Sequence, residues 1–312
     1  MTINQLEYVI TVDSYRHFAT AAEKCYVTQP TLSMQIQKLE EEIGITIFNR
    51  KTHPVIPTVA GIEIIKLART AIREFKKINE MVKAIKKEIK GRLRIGIIPT
   101  LAPYLLPLFI EGFIAKYSEI ELVIDESITE EITRLLKTDI LDIGIISTPL
   151  NDNELKEIPL FYEKIYLFID SRHYLAKQQH IKAKDIPVND LWTLSSRHCF
   201  SSQVVNLCKK SKTSEKKTNF HYQSGSFENL IRFSEITHRL TLIPELLTTS
   251  LTENKKALVK EISDPVPARE ISIITHKSFV KENLVNILKE EILRNVPPSM
   301  KSREGLEIIE WK

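Results

Sequence analysis

Two cysteines nine positions apart stand in the segment Arg197-His198-Cys199-Phe200-Ser201-Ser202-Gln203-Val204-Val205-Asn206-Leu207-Cys208. A thiol attacks as its thiolate, and Arg197, His198, Lys209, Lys210 and Lys212 are cationic neighbours that favour that form. The segment therefore reads as a redox switch. Ser201 or Ser202 would cap a helix running to Leu207, and such a helix separates the cysteines by roughly 13 Å of rise. A disulfide spans at most about 7 Å between Cα atoms. Closing one would unwind the helix and turn a chemical event into a change of shape. Two unrelated structural cysteines remain the alternative at this level, since buried free cysteine is common.

The chain around the pair has 312 residues, 43% hydrophobic and 27% charged, enough for two or three domains of ordinary globular composition. Three cysteines in that length do not make a secreted disulfide framework, and a reducing cytosol favours a reactive or sensing pair. Met1-Thr2-Ile3-Asn4-Gln5 has no basic region ahead of an apolar run, and no stretch reaches about 18 apolar residues. A cytoplasmic protein with no membrane partner is expected. The net charge of +4 permits nucleic-acid binding without demanding it. No Cys/His cluster has ligand spacing, so neither a metal nor another cofactor is expected.

The first sixty residues have the pattern of a DNA-binding module. Leu6, Val9 and Ile10 set a helical period, Phe18, Ala21 and Ala22 mark a short second helix ending near Cys25, and a turn follows at Tyr26-Val27. Thr28 is placed to cap a third helix with Pro30 in its first turn, and Leu32, Ile36 and Leu39 bury one face of it. The opposite face carries Thr31, Met34, Gln35 and Lys38, groups that suit a major groove, where Gln pairs bidentately with adenine. Gly44 stops this helix. Phe48-Asn49-Arg50-Lys51-Thr52-His53-Pro54 then reads as a basic wing, with Arg50 and Lys51 suited to phosphates. A small helical bundle with a solvated polar face is the plainer alternative.

Phe18 with Ala21-Ala22, then Val27-Thr28-Gln29-Pro30-Thr31-Leu32-Ser33, Gln35-Ile36, Leu39-Glu40, Gly44 and Phe48-Asn49-Arg50 resemble the winged helix-turn-helix of LysR-type transcriptional regulators. The resemblance adds Gln29, Pro30 and Ser33 to the DNA-facing set and makes Cys25 a packed thiol. A long helix follows, from Thr58 as cap to about Glu88, with apolar residues at Ile65, Ala68, Ile72 and Phe75 and, after a slip, Ile78, Val82, Ile85 and Ile89. A heptad seam on a helix of ~45 Å requires a partner helix, most simply that of a second subunit. The resemblance implies the same dimer, and two-fold symmetry then predicts double-stranded DNA with two related half-sites.

From Arg92 strands and helices alternate. Leu93, Ile95 and Ile97, then Leu122 to Ile124 and Ile143 to Ile146, are strands of a mainly parallel sheet, with helices through about Tyr117 and from Glu130 to Leu136. Ile165 to Ile169 crosses into a second lobe built from Trp192-Thr193-Leu194, the cysteine segment, Phe220-His221-Tyr222 and a helix capped by Ser226; Leu240 to Ile243 and Ile271 to Ile274 return. Two lobes around a cleft resemble the periplasmic-binding-protein-like effector domain of the family. The expected fold class is α/β, with a winged helix-turn-helix at 1–58, a linker helix at 59–90, a two-lobed regulatory domain at 91–296, and a flexible or weakly docked tail at 297–312.

Within the family the chain is similar to the hydrogen-peroxide sensors. Leu6-Glu7-Tyr8, Arg16-His17-Phe18, Gly96-Ile97-Ile98-Pro99-Thr100, Pro103-Tyr104-Leu105-Leu106-Pro107, Glu157-Ile158-Pro159-Leu160-Phe161 and His198-Cys199 with Cys208 carry that similarity. It implies that Cys199 is the peroxidatic thiol and Cys208 the resolving one. It also implies that Thr100, Thr129 and His198 hold peroxide and a companion water, with Arg269, matched through Pro265-Val266-Pro267-Ala268, as a basic contributor. Hydroxyls donate and accept, and peroxide needs both, since one oxygen is attacked while the other leaves. Taken singly, Thr100 reads as a helix cap, His198 as a packed surface residue and Arg269 as half of a surface salt bridge.

Two departures matter. Ser201-Ser202 stand where many relatives carry a charged pair, which leaves thiolate stabilisation to His198, Arg269 and backbone N–H groups; Thr237-His238-Arg239-Leu240 replaces a glycine-rich strand entry. The expectation is a transcription activator of the oxidative stress response, not an enzyme. Cys199 becomes a sulfenic acid, condenses with Cys208, and alters how the dimer or homotetramer grips DNA. RNA polymerase and a thiol reductant are the further partners. A metabolite-gated LysR-type regulator with incidental cysteines, and a thiol peroxidase fused to a DNA anchor, are the rivals.

Overall fold

The computed structural model describes residues 1–86, 88–178, 180–208 and 222–311. Lys209, Lys210 and Lys212, and Phe220-His221 of the expected second-lobe element, lie outside the described residues.

Local chemistry sets the N-terminal helices. Thr2 and Gln5 form a reciprocal capping box that opens α1 (Ile3–Tyr15). The small residues Ala21 and Ala22 of α2 (Phe18–Lys24) let it pack closely on α3 (Gln29–Ile43). Thr28 caps α3, with Pro30 in the first turn, and Gly44, at φ +69°, ends it. The wing is β1 (Phe48–Asn49) paired antiparallel with β2 (Ile56–Pro57). Val9, Val12, Leu32, Ile36, Leu39, Ile47 and Phe48 form the core of this module.

Thr58 caps the linker helix α4 (Val59–Ile85), which packs so closely that a Cβ on Gly61 would lie 2.1 Å from the Ile47 carbonyl oxygen. Only glycine fits there. The helix ends at Ile85 rather than Glu88, and its 27 residues span about 40 Å. Its expected seam divides in two. Ile65, Ala68 and Ile72 are buried within the same chain, whereas Phe75, Ile78, Val82 and Ile85 are exposed. The buried residues of the near half therefore help hold the chain's own domains together, and the far half of the seam is open to a second subunit.

Arg69 of α4 is the bolt between domains. Its guanidinium is buried and donates to Asp13 at 2.8 Å and Ser14 at 3.0 Å in α1, and to the Thr138 carbonyl at 2.7 Å and Asp139 at 3.1 Å in the regulatory domain. Arg73, one turn on, also donates to Asp139, at 2.9 Å.

The first lobe runs β3 (Gly91–Ile97), α5 (Ala102–Lys116), β4 (Ile120–Glu126), α6 (Thr129–Lys137), β5 (Ile143–Thr148) and the first part of β6 (Leu155–Ile169). The second takes the rest of β6, then β7 (Ile181–Lys182), β8 (Leu191–Trp192), α7 (Cys199–Leu207), α8 (Phe227–Thr237), β9 (Leu240–Pro244), α9 (Glu245–Thr249), α10 (Glu253–Lys256) and β10 (Val259–Ser263). The chain returns through β11 (Val266–His276), α11 (Glu282–Asn295) and β12 (Leu306–Ile308). Strand order is β4-β3-β5-β11-β6-β10-β7.

The sheet is mixed rather than mainly parallel. β3 runs parallel to β4 and β5, but β11 is antiparallel to both β5 and β6. β6 is a single 15-residue strand whose first part pairs β11 and whose end, Ile165 to Ile169, pairs β9. One continuous strand thus serves both lobes. Gly96 and Gly144 face each other in β3 and β5, and a Cβ on either would lie within 2.6 Å of a neighbouring side chain, so α6 settles close on the sheet and carries Thr129 with it.

The expected weak docking of residues 297–312 is overturned. Pro298–Lys301 forms a 3-10 turn with Met300 buried, β12 pairs parallel with β11, and Ile309 and Trp311 are buried. The apolar residues of this stretch lack a period of their own; they fill a groove made by distant elements.

Candidate redox site

Helix α7 is capped three residues before Ser201, the earlier of the two expected caps: His198 occupies the N-cap and Cys199 the first helical position, with Ser201 and Ser202 inside the first turn. That start puts the Cys199 sulfur at the positive end of the helix, an end that favours the thiolate, and against the Phe200 N–H, which offsets part of the rise that burial imposes on its pKa. Cys208 is the C-cap at the other end, its N–H donating to the Val204 carbonyl at 3.0 Å. Both sulfurs are buried and neither is in a disulfide. Nine residues of helix put about 13 Å of rise between the two Cα atoms, more than a disulfide spans, so a bond between the sulfurs requires α7 to come undone.

Thr100, Thr129, His198 and Arg197 line a narrow crevice at Cys199 with Ile98, Pro99 and Ile128. Thr100 follows β3 but does not cap α5, whose N-cap is Leu101. Its hydroxyl instead accepts from Arg269 Nη1 at 3.0 Å, while Nη2 donates to the Thr100 carbonyl at 3.0 Å. The Thr129 hydroxyl is buried beside the thiol and has no formed hydrogen bond among the described residues.

Arg269 is fully buried, not a surface residue, and its guanidinium lies over the Phe200 ring at 5.2 Å. Its charge is balanced by Glu163, equally buried, which accepts from Arg269 Nε at 2.8 Å through one oxygen and from the Leu246 N–H at 2.8 Å through the other. Glu163 was not among the residues expected. Strand parity could have found it, since Phe161, Glu163, Ile165 and Leu167 share one face and all are buried.

Burial raises the Cys199 thiol pKa, and Arg269, the Thr129 hydroxyl and the Phe200 N–H pull it down. Arg269 thus takes the electrostatic role expected of nearer cations. Burial lowers the pKa of His198 and favours its neutral form, so it contributes a hydrogen-bonding ring rather than a charge.

On α3 the exposed face carries Gln29, Pro30, Met34 and Lys38, with Thr31 half-buried. Gln35 is partly engaged, its side-chain oxygen accepting from Gln5 at 3.3 Å. Arg50 is turned inward to Glu40 at 2.8 Å and Ser33 at 3.1 Å, pinning the wing to α3, while Lys51 is exposed at the tip.

The family model for the LysR substrate binding domain matches residues 86–296, and that for the bacterial regulatory helix-turn-helix protein, lysR family, matches residues 3–62. The chain belongs to the LysR family. Among curated LysR-family relatives, the hydrogen peroxide-inducible genes activator of Haemophilus influenzae is 34% identical over 88% of this chain and 90% of its own length. The DNA-binding transcriptional dual regulator OxyR of Escherichia coli K12 is 31% identical over 88% and 89%. Among solved structures, a full-length OxyR variant from Pseudomonas aeruginosa aligns with TM-score 0.78 and 29% identity, covering 95% of this chain and 99% of that one. A hydrogen-peroxide-bound OxyR variant from Corynebacterium glutamicum aligns at 0.61 and 26%, covering 94% and 92%. No helix among the described residues of this LysR-family chain is long and apolar enough to cross a membrane.

Proposed function

We propose that this chain is a hydrogen-peroxide-sensing, DNA-binding transcriptional regulator switched by a reversible Cys199–Cys208 disulfide. The observation that carries it is the Cys199 sulfur at a helix N-terminus, flanked by the buried Thr129 hydroxyl and by a buried arginine bound to a second threonine. The Cys199 thiolate gives an electron pair to one peroxide oxygen, the O–O bond breaks, and the other oxygen leaves as hydroxide to become water. Thr129 is free to hydrogen-bond the peroxide, and Arg269 reaches the site through the Thr100 hydroxyl. The Cys208 sulfur then displaces water from the sulfenic acid, closing the disulfide and releasing a second water. The relatives named for peroxide and the peroxide-bound neighbour support peroxide over a metabolite.

The regulator acts in the cytoplasm as a sensor rather than a peroxide-clearing enzyme, reset by a thiol reductant. The exposed half of the linker seam pairs two chains on a two-fold DNA site, a tetramer forms from two such pairs, and the oxidised form activates transcription through RNA polymerase. A disulfide map by mass spectrometry before and after stoichiometric peroxide tests the chemistry. A Cys199–Cys208 linkage is expected, and its absence would leave the metabolite-gated alternative in its place.

Burial moves the Cys199 thiol above its ordinary range, so thiolate is the minor form at neutral pH. Thiol consumption by peroxide is therefore expected to quicken about tenfold per pH unit through neutrality. Stopped-flow rates that are already flat from pH 6 upward would contradict it.

Gln35→Ala is expected to weaken binding to the specific site by about 1–3 kcal/mol and to spare scrambled DNA. Lys51→Ala should weaken both and flatten the logarithmic salt dependence by about one unit. Arg50→Ala also weakens both, but in the structure it acts by freeing the wing. Gel shifts across a salt series separate the cases, and equal losses on both DNAs for Gln35→Ala would remove α3 as the reading element.

A further inference from the structure

Two side chains on one face of α7, a helical step of three apart, hold consecutive carbonyls of the C-terminal segment. Gln203 Nε2 donates to the Ile309 carbonyl at 2.8 Å, and Asn206 Nδ2 donates to the Glu310 carbonyl at 2.7 Å. On its other side the segment is a strand: Leu306, Glu307 and Ile308 pair with Val266, Pro267 and Ala268 of β11, and the Ile309 N–H donates to the Ala268 carbonyl at 2.8 Å. The next residue of β11 is Arg269. Ile309 and Trp311 bury their side chains in the same seat. The segment therefore spans from the strand that carries the arginine to the helix that separates the cysteines.

We propose that residues 306–311 are a strap that holds α7 helical in the thiol form and is let go when the disulfide forms, an inference that rests on the switch proposed above. Gln203 and Asn206 both lie between the two cysteines, so the unwinding that brings Cys208 to Cys199 carries their amides off the tail carbonyls. A helix and a strap that share these bonds come loose together. Gln203 also marks the seat as one that can be left. Its Nε2 reaches Ser147 of β5 at 3.1 Å as well, but its buried Oε1 has no hydrogen-bond partner among the described residues, a cost relieved when the helix unwinds. The strap thus sets how readily the sulfenic acid is resolved, and leaves the first reaction with peroxide, at the opposite end of α7, unaffected.

The experiment uses the full chain, reduced and after stoichiometric peroxide, with the disulfide verified by mass spectrometry and backbone hydrogen exchange followed over 199–207 and 306–311. Both segments are expected to lose protection together in the disulfide form. Asn206→Ser, which removes the reach to Glu310 at nearly equal helix propensity, should speed disulfide closure about three- to tenfold while changing the first thiol-consumption step by less than about twofold. A chain ending at Gly305 should show the larger effect in the same direction, and Asn206→Ser decides the matter if that chain does not fold. A disulfide that forms while 306–311 stays as protected as before, or a closure rate unmoved by Asn206→Ser, overturns the strap and leaves the switch standing. If no disulfide forms, the switch itself fails, and the strap's redox role falls with it.

Discussion

A Cys199→Ser protein is expected to keep one and the same DNA footprint with and without peroxide, because the nucleophile is gone. Cys208→Ser should still react with its first equivalent of peroxide at the usual rate and stop at the sulfenic acid, with over-oxidised acid forming only when excess peroxide supplies further equivalents, since the first step needs only the groups at the N-terminal end of α7. The two variants therefore differ in kind, not in degree. Cys25→Ser should behave as the parent. That thiol sits at the end of α2, where burial raises its pKa and its hydrogen-bonding neighbour is Thr11 of α1, within the DNA-binding module and away from the second lobe. Stopped-flow thiol consumption and reduced and oxidised footprints on the three variants check this. A Cys199→Ser protein whose footprint still shifts with peroxide would end the switch proposal.

What could be read from residue types was what depends on near neighbours. Thr28, Pro30 and Gly44 bound α3 because caps are made within a few residues, and the Ser226 cap of α8 was legible for the same reason. The linker seam was legible as a stripe but not as an interface. Periodicity shows that Ile65, Ala68 and Ile72 need cover, and is silent on whether α1 of the same chain or a second copy supplies it. The sheet was misread as mainly parallel because β6 hides its length behind Pro159 and the charges of Glu157, Glu163 and Lys164. At the site, the cysteines announced themselves by chemistry and spacing, but their helix was started too late. The cap there is His198, whose side chain makes no capping bond, so the usual signal is missing. The tail was illegible because its seat is made by β11 and α7, both distant in sequence.

Glu163 and Arg269 were obscured by a sound general rule, that charged residues lie at the surface unless paired. They are paired across 106 positions of chain, and their energetics set the largest stability effect expected here. Removing either partner alone leaves a buried charge uncompensated, so Glu163→Gln and Arg269→Gln should each destabilise the fold by about 3–5 kcal/mol, whereas the double variant should lose much less than the sum. On the chemistry the two singles should move apart. Arg269 lowers the Cys199 thiol pKa, so Arg269→Gln raises it further and slows peroxide consumption at neutral pH. Glu163→Gln removes the carboxylate that damps the guanidinium's field, lowers the thiol pKa, and quickens the reaction in whatever fraction remains folded. Denaturant unfolding gives the first comparison, and peroxide rates against pH under folded conditions give the second. If both singles shift the rate profile the same way, Arg269 acts on Cys199 by holding the shape of the crevice at Thr100 and Phe200, and its charge is not what tunes the thiol.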